Sequence, residues 1–224
     1  MKLLAIEAAT EACSAAVLID GEVIEQYQVA PRQHNELLLP MCEKVLAESE
    51  VSLTQLDAIA FGCGPGAFTG VRIAAGVAQG IAFAHDLPAV SISTLANLAC
   101  QVDTVSDELV LPAIDARMNE VYWAVYRKKS DFDVELVVEE KVQAPEMIEV
   151  NAGSIVSGLG SGWGTYFAIL QKKTRLDQEC INAEALPRAK VTALLGRKKV
   201  MSGEMLGASN ILPVYLRNNV TYQK

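Results

Sequence analysis

The sequence predicts a two-lobed α/β fold in which one strand, turn and helix unit occurs twice, the second copy shortened. Two internal matches and one glycine-rich corner predict it. Ala5-Ile6-Glu7-Ala8, followed by Ala15-Ala16-Val17, aligns without gaps on Ala113-Ile114-Asp115-Ala116, followed by Trp123-Ala124-Val125, with an acid at the same place in each copy. Ile59-Ala60-Phe61-Gly62-Cys63-Gly64-Pro65-Gly66 aligns on Ile155-Val156-Ser157-Gly158-Leu159-Gly160-Ser161-Gly162. The offsets of 108 and 96 make the second copy shorter by 12 residues between the two landmarks. Short matches of this kind arise by chance, but two in the same order, each spanning a strand and its turn, indicate duplication. The corner is 62–72, where four glycines in nine positions separate an apolar run from a long segment of small apolar residues. That is the pattern of strand, tight loop and helix, and its amides would suit an anion or a polar partner group.

Residues 3–6 read as a first strand, and 13–19 and 22–29 as two more joined by a two-residue turn at Asp20-Gly21. Over 33–48, Leu37, Leu38, Met41, Cys42, Val45 and Leu46 recur at helical spacing; Pro40 predicts a kink or a start near Leu39. A strand at 58–61 feeds the glycine loop. The helix beyond it, over 71–84, carries two stripes of small residues: Ala74, Ala78 and Ala82 on one, Gly76, Gly80 and Ala84 on the other. Such a surface suits either a helix buried in its own lobe or close pairing with a helix of a second chain. A strand over 87–93 and a short helix to about Cys100, capped by Ser93 or Thr94, complete the unit.

The polar, acidic stretch 101–108 places the boundary between lobes 1–105 and 106–224. The second lobe reads as strands over 110–115, 121–126 and 134–141, with a turn at 128–131. A short helix near 145–150 replaces the longer first one, and a further helix follows Gly164 to about Lys172. Residues 176–184 have no clear period. A helix over 189–201 ends in a solvated basic run, Arg197-Lys198-Lys199, and the tail over 213–220 is too apolar at its start to be a free end.

Composition narrows the function. A hydrophobic content of 51% over 224 residues supports a sizeable core, and a formal charge of −8 argues against a broad basic surface for nucleic acid. If RNA is involved, another chain supplies most of the phosphate contacts. The five cysteines, Cys13, Cys42, Cys63, Cys100 and Cys180, form no C-x-x-C pair, and their odd number fits buried thiols in a reducing, cytoplasmic setting. Glu7 and Glu11 interrupt any signal-peptide core, and 71–84 is too short and glycine-rich for a membrane span.

The chemistry-bearing motifs are mostly missing. The glycine loop lacks the Lys-Ser/Thr ending of a P-loop. As a dinucleotide fingerprint it follows the wrong strand, and Pro65 removes an amide donor. His34 and His85 stand far apart with no H-x-x-x-H or H-E-x-x-H, so no metal site is expected, and His34 near a helix start reads as a local hydrogen-bonding residue. No serine has a G-x-S-x-G context, which leaves a peptidase reading without nucleophile or metal. The duplicated layout, each copy opening with strand, acid and turn, is that of the actin-like (sugar kinase and Hsp70) ATPases. Here Glu7 is followed by Ala8 and Ala9 before Thr10, which removes hydroxyls that a phosphate-binding turn would use. A kept fold and a lost catalyst are expected, with no catalytic residue; a stand-alone actin-like ATP-dependent phosphotransferase is the alternative.

At the glycine loop, Gly64 to Arg72 resembles the G-P-G-[SA]-F-T-G-V-R signature of the TsaB (YeaZ) family of bacterial tRNA threonylcarbamoyladenosine biosynthesis proteins. Ala9-Thr10-Glu11-Ala12-Cys13-Ser14, the run from Ile114 to Trp123, and the tail from Pro213 to Val220 extend the likeness across most of the chain. The chain departs from the family at Glu7-Ala8-Ala9-Thr10, where Asp-Thr-Ala-Thr is usual, and at Ala67, where Ser is usual. The resemblance implies a non-catalytic scaffold subunit that pairs with the catalytic TsaD, or with itself as a homodimer when alone. TsaE docks on the pair, and tRNA is reached indirectly through the complex. It implies no cofactor on the chain's own account, nucleotide only in the complex, no membrane, and no metal. It assigns pairing to Leu37, Leu38, Met41 and Val45 on one helix and to Val71, Ala74, Val77, Ala78 and Ile81 on the next. Gly64, Gly66, Thr69, Gly70 and Arg72 are the expected nucleotide or loop contacts.

Overall fold

A computed structural model describes residues 1–103, 107–151 and 153–217. The chain runs through β1 (Lys2–Glu7), β2 (Ala12–Ile19), β3 (Glu22–Val29), α1 (His34–Glu48), β4 (Ala58–Gly64), α2 (Phe68–His85), β5 (Ala89–Ser93) and α3 (Thr94–Cys100). The second series is β6 (Leu109–Arg117), β7 (Glu120–Ser130), β8 (Asp133–Gln143), β9 (Ile155–Leu159), α4 (Ser161–Thr165), α5 (Phe167–Thr174), β10 (Ile181–Asn182) and α6 (Ala189–Met201).

The duplication is carried by the sheets. The first has the order β3-β2-β1-β4-β5 and the second β8-β7-β6-β9-β10. In each, three antiparallel strands continue into parallel ones. This is the two-lobed, mixed-sheet, actin-like α/β layout that the sequence predicts. The second internal match is displaced along its strand: Leu4 pairs with Ile59, whereas Pro112, the matching position, pairs with Leu159 rather than Ile155.

Alternation sorts the packing. One face of the first sheet meets α1 and α2 through Leu4, Ile6, Val17, Phe61, Ala74 and Ala78. The other face meets α6 through Leu3, Ala5, Ala60 and Val90. Helix α3 lies on the second sheet against Val110, Tyr126 and Leu159, and α4 and α5 cover its opposite face around Trp123, Trp163 and Leu170. Although α6 comes late in the sequence, it packs on the first sheet, where Gly196 lets it approach Ala60 closely.

Some local expectations change. Helix α1 begins at His34 and carries Pro40 within it, so the start near Leu39 is corrected. The turn between β7 and β8 falls at 131–132, because both strands run longer than their apolar alternation. The helix expected after Gly164 is replaced by two short ones that meet at Tyr166, α4 containing Gly164 and α5 following it, and 145–150 holds only a 3₁₀ turn at Pro145–Met147. The basic end of α6 is not simply solvated: Lys198 pairs with Asp133, and Lys199 Nζ donates to the Ser91 carbonyl at 3.0 Å. The expected lobe boundary at 105/106 and the end of the tail motif at 218–220 lie outside the described residues.

Candidate functional site

The glycine corner holds the chain's own first turn. Ala67 N donates to the Ala9 carbonyl at 2.7 Å. A Cβ at Gly66 would overlap that carbonyl, and one at Gly70 would overlap the carbonyl of Ala8. These glycines therefore give the turn 8–10 room to lie against the start of α2. Gly64 ends β4, Thr69 is exposed, and Arg72 is drawn sideways. Its guanidinium carbon lies 3.1 Å from the Phe68 ring centroid and 4.9 Å from that of Tyr215, a cation–π stack on two rings of the cleft rim that leaves Arg72 itself out of the lining. Of the five expected loop contacts, Gly66 alone lines the cleft between the lobes.

The two first-turn acids have opposite surroundings. Glu7 is fully buried, with Ala9 N donating to Oε1 at 2.9 Å and Thr192 Oγ1 to Oε2 at 3.4 Å. Asn97 Nδ2 in turn donates to Thr192 Oγ1 at 2.9 Å. Gly62 seals the carboxylate from β4, since a Cβ there would overlap it. Burial pushes the Glu7 pKa up to about 7, against the smaller lowering by the Ala9 and Ala8 amides and Thr192. Asp115 opens on the cleft. Its Oδ1 accepts from Arg117 N at 2.9 Å and its Oδ2 from Arg117 Nη1 at 3.0 Å. The Tyr166 hydroxyl lies 3.5 Å from Oδ1, and Ser161 Oγ accepts from Asp115 N at 3.1 Å.

The cleft encloses about 390 Å³ between Thr10, Glu11, Gly66 and Phe68 of the first lobe and Asp115, Arg117, Tyr122 and Ser161 of the second. Tyr215 and Arg217 of the tail complete its rim. Thr10 Oγ1, on this wall, is buried with no hydrogen-bond partner among the described residues. The tail is the component that local sequence patterns missed; its one signal was an apolar start too costly for a free end. His34 Nε2 lies 2.8 Å from the Thr10 carbonyl and 3.2 Å from that of Ala12, a local tie that fixes the first turn. Among the described residues, no three His, Cys, Asp or Glu side chains are grouped to share a metal ion, and no helix is long and apolar enough to cross a membrane.

The expected pairing residues divide by face. Leu38, Val45, Val71, Ala74 and Ala78 lie in the core of the first lobe and have no surface to offer a partner, which corrects their assignment as direct contacts. Sheet packing takes the alanine stripe of α2 and leaves the glycine stripe outward. Leu37, Met41, Val77 and Ile81 are half-buried at the edge of that core. Beyond them Gly76 and Gly80 are open, with nothing within 4 Å of a Cβ, and Leu39 and Phe83 are exposed, Phe83 at 82%.

A profile of the family described as tRNA N6-adenosine threonylcarbamoyltransferase (TsaD) matches residues 21–222. The chain is 41% identical to the tRNA threonylcarbamoyladenosine biosynthesis protein TsaB of Haemophilus influenzae, over 100% of this chain and 97% of that one. It is 38% identical to TsaB of Escherichia coli K12, over 100% and 98%. Among solved structures, YeaZ from Pseudomonas aeruginosa superposes with a TM-score of 0.87 at 41% identity, covering 96% of this chain and 99% of that one.

Proposed function

The chain belongs to the TsaB (YeaZ) family of tRNA threonylcarbamoyladenosine biosynthesis proteins, and from that premise we propose that it is a non-catalytic scaffold subunit of the modifying complex. The observation that carries this reading is the sealing of Glu7 beneath Gly62: the acid that would serve a nucleotide's metal ion faces the core of the lobe. The glycine corner supports it too, because the space a phosphate would need is taken by Ala8 and Ala9.

In this reading the chain pairs with a TsaD-type transferase, or with itself when alone, and a TsaE-type ATPase docks on the pair in the cytoplasm. tRNA and nucleotide are engaged through the complex. The pairing face is the outer surface of α1 and α2, where Gly76 and Gly80 let a partner helix come close and Leu39 and Phe83 add apolar area. Replacement of Gly80 by Trp, or of Phe83 by Glu, is expected to abolish capture of the TsaD from the same organism while the far-ultraviolet spectrum and melting stay those of the parent chain. Undiminished capture by both variants overturns this face.

The cleft with Asp115 and Arg117 is what favours the alternative, a stand-alone phosphotransferase. Calorimetry of the isolated chain with Mg-ATP separates the two. The scaffold reading expects no tight binding and no turnover, and tight binding with turnover overturns it.

A further inference from the structure

Four segments, 9–14, 64–72, 114–123 and the start of 213–220, converge at the mouth of the cleft, and the last of them crosses it. Val214 N donates to the Cys63 carbonyl at 2.8 Å, tying the tail to the first lobe. Tyr215 lies 6.2 Å, centroid to centroid, from Phe68, with the Arg72 guanidinium against both rings. Arg217 then reaches the second lobe: its Nε and Nη2 donate to Glu120 Oε2 at 3.0 and 2.5 Å, and Nη2 also donates to the Ala116 carbonyl at 3.1 Å.

What Arg217 grips is a strained turn. Arg117, Met118 and Asn119 have φ of 60°, 57° and 60°, three consecutive left-handed residues without a glycine among them. A two-residue hairpin turn with positive φ at both centres suits Asn-Gly, and here it is built from Met118-Asn119 between the paired Arg117 and Glu120, with Ala116 left as a bulge just before them. The same turn carries Arg117, whose guanidinium holds Asp115 at 3.0 Å and lies 3.9 Å from Glu11 across the cleft.

We propose that residues 213–217 are a clasp. Arg217 holds the strained 117–119 turn in place, and with it the Arg117–Glu11 approach that closes the cleft; when the tail lifts away, the turn relaxes and the cleft opens. The segment is thus a conformational latch between the lobes.

Hydrogen exchange of the full chain, resolved by mass spectrometry, tests the latch. Arg217→Ala is expected to speed exchange at 116–122 and at 9–11 by about tenfold, the scale of one charge-assisted hydrogen bond lost, while β1 and β4 keep their protection. In that background, Met118→Asn with Asn119→Gly supplies the preferred turn residues and is expected to return 116–122 to near the parental rate. The charge swap Glu120→Arg with Arg217→Glu is expected to recover part of the protection at 9–11. Unchanged exchange in Arg217→Ala overturns the clasp. So does faster exchange spread evenly over the first sheet, or a relieved turn that restores nothing.

Discussion

Glu7 ends β1 and Asp115 lies two residues before the end of β6, the central strands of two sheets with one topology. Glu7 turns inward under Gly62 and is held by a backbone amide and a threonine hydroxyl. Asp115 keeps to the cleft, 10% exposed, against an Arg117 that is 76% exposed. The difference shows how a duplicated fold can give two matching acids opposite surroundings. The first lobe encloses its acid, and its outer helices leave Gly76 and Gly80 open. The second keeps a polar wall, and the tail bridges the two.

The largest test of that contrast is steric. Gly62→Val should cost about 3 kcal/mol, because the new side chain has to displace a carboxylate that has nowhere to go. Urea unfolding reads it directly. In a Glu7→Ala background the cost of Gly62→Ala should shrink, giving a coupling of about 1–3 kcal/mol between the two sites. Simple additivity would mean that Gly62 does not serve Glu7. By contrast, Gly76→Ala or Gly80→Ala on the open stripe should raise stability by up to about 1 kcal/mol through helix propensity alone.

The second test is pH. Because burial raises the Glu7 pKa from 4.5 to about 7, the folded chain retains a proton that the unfolded chain releases. That contribution to stability is therefore full below pH 4.5 and is lost as the pH rises to about 7. The loss is on the order of 3 kcal/mol. Glu7→Gln keeps an acceptor for Ala9 N and a neutral partner for Thr192, so its stability should lack this decline and exceed the parental value at pH 8. Parallel pH profiles for parent and variant would show that Glu7 is solvated.

Most of the fold was legible because its signals are local. The hairpin turn at Asp20-Gly21, the stripe of α1 and the Ser93 cap of α3 each sit within a few residues of what they specify; Ser93 Oγ accepts from Leu95 N and Ala96 N as a cap should. The site was legible only in part. Gly66 and Gly70 announce close approach, but what approaches is the turn 8–10, more than fifty residues upstream. The two small-residue stripes of α2 are equivalent in sequence, and only the position of the first sheet decides that Ala74 and Ala78 face inward and Gly76 and Gly80 outward. Arg217 finds Glu120 nearly a hundred residues away, and no periodicity carries such a pairing.

The smallest expected effect belongs to Asp115. Its bond to Arg117 joins a nearly covered carboxylate to a guanidinium that stands mostly in water, so solvent screens the pair and Asp115→Asn should cost about 1 kcal/mol or less. The backbone bond from Arg117 N can pass to the amide oxygen of Asn, which limits the loss further. Salt then separates the two acids. Between about 10 mM and 1 M, the Debye length falls from roughly 30 to 3 Å, and the difference between parent and Asp115→Asn should fade with it. The Glu7→Gln difference arises from desolvation inside the lobe and should persist across the same range. An Asp115 contribution that survives 1 M salt would mean that the cleft shields its wall as thoroughly as Gly62 shields Glu7, and the contrast between the lobes would then rest on chemistry alone rather than on exposure.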